Sequence, residues 1–163
     1  MNFSQYKLLM TSGNTGIEAM EIDRTDYYSF VRAKIDEGHS QIIISSSIML
    51  HVLRKMFVEK KAKIVSIDFI EDDTDYLNQM NNLIASVNKD RDYFYDLMEE
   101  LSFLAEQESV EIKNIRIKYR KNEKPIDLSL SVNGLIKAGE NENIGGEISF
   151  MVDSIWENVK DWI

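Results

Sequence analysis

The sequence predicts an α+β fold, and three observations carry the prediction. Residues 112–133 alternate apolar and polar side chains with the two-residue period of a half-buried antiparallel sheet. Positions 76, 80, 83, 87, 94, 97, 101 and 104 are apolar, a spacing that a helix uses. Two short apolar runs, residues 41–45 and 63–70, flank a further helical pattern and read as strand, helix, strand. At 163 residues the chain fits one domain with a sizeable core. Its possible sub-lobes are residues 1–71 and 111–163, joined by a helix over 74–107.

Taken in order, residues 6–11 and 17–22 form a predicted hairpin around Ser12, Gly13, Asn14, Thr15 and Gly16, where Gly and Asn supply positive φ. Thr25 or Asp26 then caps a short helix with Tyr27, Phe30, Val31 and Ile35 on one side, ending at Gly38. Residues 41–45 and 63–70 are expected as strands buried on both faces, and the helix between them implies a parallel, right-handed βαβ element. Next comes an acidic helix over 74–107, favoured as one rod of roughly 50 Å at 1.5 Å per residue over a break near Asn88 with Asp90 or Asp92 capping a second piece. A β-meander follows, with turns at residues 122–125 and at Asn133-Gly134. Residues 139–146 read as a loop and 147–152 as a last strand. Ser154 and Glu157 stand at capping-box spacing before a closing helix with Ile155, Val159 and Trp162 on one face.

Charge is distributed unevenly. From Asp68 to Glu111 there are 13 carboxylates against Lys89 and Arg91, so this stretch carries −11 while the whole chain carries −9. Such acidity disfavours nucleic-acid phosphates and anionic membranes, which need cationic surface, and fits a basic protein partner. No run approaches the about 18 apolar residues of a membrane span. Cysteine is absent, which removes disulfides and thiolate metal sites and makes a cytoplasmic location the expectation. Residues 1–10 lack the apolar stretch of a signal peptide.

Four groups of residues are candidate sites. On the acidic helix, Tyr95 and Phe103 lie off the apolar stripe among Asp96, Glu99, Glu100 and Glu106, resembling an aromatic anchor with an acidic rim. Asp68, Glu71 and Asp72 cluster at the end of the strand over 63–70, and with Glu111 and Lys113 in E-x-K spacing they offer the ligands a Mg²⁺ ion beside phosphate needs; helix capping and dipole compensation account for the same acids without metal. Ser45, Ser46 and Ser47 open a helix and could hold an anion, although capping explains them as well. Arg116, Lys118 and Arg120 form a basic strip that Asp127 and Glu147 can oppose across the sheet, and the two histidines, His39 and His51, stand in no catalytic motif.

The leading expectation is therefore a non-enzymatic interaction module of the inhibitor, immunity or assembly-subunit type, with no cofactor. It would dock a basic protein partner, and the unpaired length of the rod leaves room for a homodimer. A Mg²⁺-dependent nuclease or phosphotransferase, and a mimic of nucleic-acid charge, are the alternatives.

Overall fold

The computed structural model describes residues 2–22, 26–71 and 74–160. It is an α+β protein: an antiparallel sheet with a layer of helices on one face. The sheet order is β2 (Ile17–Glu21), β1 (Phe3–Met10), β7 (Leu135–Gly139), β6 (Lys124–Ser131), β5 (Ile112–Lys121) and β4 (Lys63–Phe69), with the two-residue β3 (Ser40–Gln41) also pairing β1. The helices are α1 (Tyr27–Asp36), α2 (Ser46–Lys60), α3 (Thr74–Lys89), α4 (Phe94–Gln107) and α5 (Ile144–Val159).

The meander follows its alternation. Ile115, Ile117, Tyr119, Ile126, Leu128, Leu130, Ile136 and Ala138 are all buried in the main core, and their polar neighbours face the other way. Asn122 and Glu123 both adopt positive φ, the geometry of a two-residue hairpin whose twist matches its strands. Gly134 carries φ +77°, and a Cβ there would stand 3.1 Å from the Ile42 carbonyl oxygen, so the turn after β6 needs glycine for both reasons.

The expected parallel βαβ element is absent from the described pairings. β3 pairs β1 and β4 pairs β5, both antiparallel, and α2 connects strands that do not touch. An apolar run signals burial, not direction. In β4 the register shifts between Ile64 and Ser66, so Val65 is a bulge that keeps Ile64 and Ile67 in the core despite their three-residue spacing. Ile43 of the other run is 76% exposed, whereas Ile42 and Ile44 are buried.

The single rod is also corrected. Asp90 interrupts it, adopts an extended backbone and accepts a hydrogen bond from the Asp92 N–H at 3.0 Å, and a 3₁₀ turn at Arg91–Tyr93 leads into α4. Gln79 of α3 then reaches Glu100 of α4 at 3.3 Å, which 21 residues of straight helix would hold roughly 31 Å apart. The two helices form a hairpin. Heptad phase survived the break because both arms bury the same positions: Met80 and Val87 in one, Phe94, Leu97, Leu101 and Leu104 in the other.

The last strand and capping box are replaced by α5, which begins at Ile144 and spans both. Ile148, Met151, Ile155 and Val159 are its buried face, at helical spacing, and the Ser154 hydroxyl donates to the Phe150 carbonyl one turn earlier. Asp26 caps α1 by accepting from the Ser29 N–H; the alternative cap Thr25, and Trp162, lie outside the described residues.

β4 is an edge strand, and α3 guards it. The Asn88 side chain takes both backbone groups of Ile64, donating to its carbonyl at 2.9 Å and accepting from its N–H at 3.4 Å. Asn88→Ala is expected to cost about 1–2 kcal/mol in urea denaturation, because two half-buried backbone groups lose their partner. An unchanged midpoint would mean that water replaces the amide without loss.

Candidate functional site

Two surfaces gather the exposed predicted residues and the unopposed charges: the outer face of α4 and the uncovered face of the sheet. Within the hairpin the acidity is one-sided. α3 contains one acid, Asp75, and one base, Lys89, while residues 90–111 hold eight carboxylates against Arg91.

On α4, Tyr95 is 75% exposed and Phe103 49%. They border a groove of about 480 Å³ together with Met98, Glu99, Ser102 and Glu106 of the same helix and Arg54 of α2. Positions 95, 99, 102 and 106 repeat every three or four residues, so one stripe of the helix forms the groove wall. Four of the six predicted residues gather here: Tyr95, Glu99, Phe103 and Glu106. Asp96 does not line the groove, and Glu100 turns toward α3, where it accepts from Gln79. Arg54 is a cation that no local pattern places beside these acids; only the packing of α2 on α4 brings it there.

The carboxylates proposed for Mg²⁺ separate. Asp68 lies on the uncovered face of β4, Glu71 is exposed beyond the strand, and Glu111 contributes its backbone carbonyl to the Ile70 N–H at 2.9 Å. Asp72 is outside the described residues. Among the described residues no three His, Cys, Asp or Glu side chains gather closely enough to hold a metal ion. In the serine run, the Ser45 hydroxyl oxygen accepts from the Ile48 N–H at 3.3 Å as the α2 cap, and that of Ser46 accepts from the Ile112 N–H at 2.9 Å, tying the helix start to β5. Ser47 lies in the first turn of α2.

The uncovered face of the sheet forms a groove of about 780 Å³. Asp127, only 4% exposed, anchors it by accepting from Arg116 Nε at 3.0 Å and Nη2 at 2.7 Å, with Lys118 Nζ at 3.8 Å. This side-on fork raises the guanidinium further above its ordinary pKa through the Asp127 hydrogen bonds, and it fixes where Arg116 sits. Phe3 lies 5.9 Å from the same guanidinium. The predicted opposition of the basic strip by Asp127 is therefore observed. Glu147 instead lies on the helix side, where it accepts from the Tyr119 hydroxyl at 2.7 Å and pairs with Lys60 at 3.3 Å.

At one end α1 covers this face. Lys7 and Leu9 alternate with the core residues Leu8 and Met10, and both are fully buried, with the Lys7 ammonium donating to the Tyr27 hydroxyl at 2.9 Å and to the Asn133 carbonyl. His51 bonds Glu157 at 3.2 Å across α2 and α5, a structural link between two helices.

Comparison with protein-family models, with curated proteins and with solved structures finds no match to this chain. No helix among the described residues is long and apolar enough to cross a membrane.

Proposed function

We propose that the protein is a non-enzymatic interaction module that docks a basic protein partner on the outer face of α4. The observation that carries this reading is the pair of solvent-facing aromatics, Tyr95 and Phe103, on one groove with Glu99 and Glu106 beside them. Aromatic side chains supply contact area at small entropic cost, and surrounding carboxylates steer a cationic surface toward them. Arg54 at the rim adds selectivity, since it repels a partner whose basic patch extends over α2. The reading does not require a rod, and the length argument for a second copy disappears with the rod. The absence of cysteine fits a cytoplasmic setting.

The experiment is partner capture from the native cell with the unmodified chain and with Tyr95→Ala/Phe103→Ala. Both side chains are well exposed, so the double variant should keep its circular dichroism and thermal midpoint. Binding should weaken by about 2 kcal/mol or more, roughly 30-fold. Glu99→Lys/Glu106→Lys should slow association and remove its sensitivity to salt. Recovery of the same proteins at the same strength by both variants would place the contact elsewhere.

A further inference from the structure

The sheet register sets one row of side chains straight across the uncovered face. Gln5 of β1 stands opposite Lys137 of β7, Lys137 opposite Ser129 of β6, Ser129 opposite Arg116 of β5, and Arg116 opposite Ser66 of β4. Directly opposed residues project to the same side, and neighbouring strands lie about 4.8 Å apart. Lys137 and Arg116 are thus about 10 Å apart at the backbone with Ser129 between them, a span that two long cationic side chains close over one bound group. We propose that Lys137, Ser129 and Arg116 form a binding site for the phosphate group of a small soluble phosphomonoester.

Three features of the row support this assignment. Arg116 spends Nε and Nη2 on Asp127, which leaves Nη1 with both its hydrogens for a ligand oxygen. A guanidinium already held by a buried carboxylate needs no further ordering when an anion arrives. Lys137 has no ion-pair partner among the described residues, and the Ser129 hydroxyl has no hydrogen-bond partner among them, so both retain their donors. Charge agrees: Arg116 and Lys118 together exceed the single charge of Asp127, Lys137 adds another cation, and Lys113 stands at a register shift on the same groove. Besides Asp127, the carboxylate that lines the groove is Asp68, and it sits on β4 opposite Asn114, in a different row. In a chain of −9 a local excess of cations attracts anions that the rest of the surface repels.

The volume of the groove selects the size of the ligand. About 780 Å³ falls within the range of small-molecule pockets, and Phe3 and Leu135 give the organic part of an ester an apolar surface to lie on. This site is separate from the α4 groove and stands or falls without it.

The test is titration of the full chain with inorganic phosphate and with glycerol 3-phosphate, followed by phosphorus NMR line width and by thermal shift. Saturable binding with a Kd of about 1 mM or tighter is expected for the ester. Lys137→Met should weaken it at least about tenfold and Ser129→Ala by a smaller factor, while Lys121→Met, at the β5–β6 turn, should leave it unchanged. Arg116 is spared as a probe because its loss would strand the buried Asp127. Binding that fails to saturate, or that survives Lys137→Met, would overturn the site. So would retention by vesicles containing phosphatidic acid in the absence of any ester binding, since the ligand would then be a membrane surface.

Discussion

Phe94→Ala is expected to lower the free energy of unfolding by about 3–5 kcal/mol, the largest loss among single changes to the helical layer. Phe94 is 1% exposed and lies flat on Phe57 of α2, ring centroids 3.8 Å apart and planes within 5°. The Arg91 guanidinium stands 3.7 Å from the same Phe57 ring and donates to the Phe57 carbonyl. One aromatic thus joins the helix hairpin at its corner to the C-terminal half of α2. Removing the Phe94 ring creates a cavity and leaves Arg91 stacked on a ring free to move. Chemical denaturation followed by circular dichroism reads the cost directly. A loss below about 1.5 kcal/mol would show that α4 collapses into the space and that the corner is held elsewhere.

Glu147→Ala should cost about 3 kcal/mol, because it strips a buried cluster of its only carboxylate. Lys60 Nζ lies 4.4 Å from the Phe150 ring centre as well as 3.3 Å from Glu147, and both the ammonium and the Tyr119 hydroxyl lose their acceptor in the variant. Tyr119→Phe, which leaves Glu147 paired with Lys60, should cost only about 1 kcal/mol. The double variant should fall short of the sum, since the two changes share one hydrogen bond.

The same cluster sets an alkaline limit. Burial, then the hydrogen bond to Glu147 and its negative charge, raise the Tyr119 pKa well above that of a free phenol. The folded state therefore keeps a proton that the unfolded state releases above about pH 10, and the stability linked to this group is complete below that pH and lost as pH rises through the folded value. One proton corresponds to about 1.4 kcal/mol per pH unit. Tyr119→Phe should flatten the alkaline limb of the stability curve by that slope; parallel limbs for the two proteins would show that Tyr119 ionises without unfolding.

Legibility in the sequence tracked how local each decision was. The meander and the first hairpin were readable because alternation and turn residues fix them within a few positions: Ile115, Ile117 and Tyr119 inward, Asn133-Gly134 at a bend. Pairing partners were not. Residues 63–70 look equally apolar whether a strand lies inside a parallel sheet or at an edge covered by α3, and only the tertiary path of α2 decides. A rod and a hairpin share one heptad phase across Asp90, and an Asp in an apolar slot is a cap as readily as an interruption that a long helix tolerates. α5 was hidden by Gly145 and Gly146, which suggested a loop, while the helical spacing of Ile148, Met151, Ile155 and Val159 lay just beyond them.

For the candidate sites, the exposure of Tyr95 and Phe103 is legible because aromatics off an apolar stripe face outward unless another segment covers them. Glu100 accepts from Gln79 instead, a placement that only the fold-back of the hairpin brings about. The row from Gln5 to Ser66 joins residues from opposite ends of the chain. Its one local signal was Lys137 between Ile136 and Ala138, a lone cation flanked by two core residues.

The clasp of Asn88 on Ile64 links two fates that are usually independent. An open strand margin recruits copies of itself, and here an amide on a helix adds a stopper to the charges of Lys63 and Asp68 in the strand. Any condition that lifts α3 while the sheet survives would turn a folded molecule into a template. Colloidal behaviour would then fail before foldedness does.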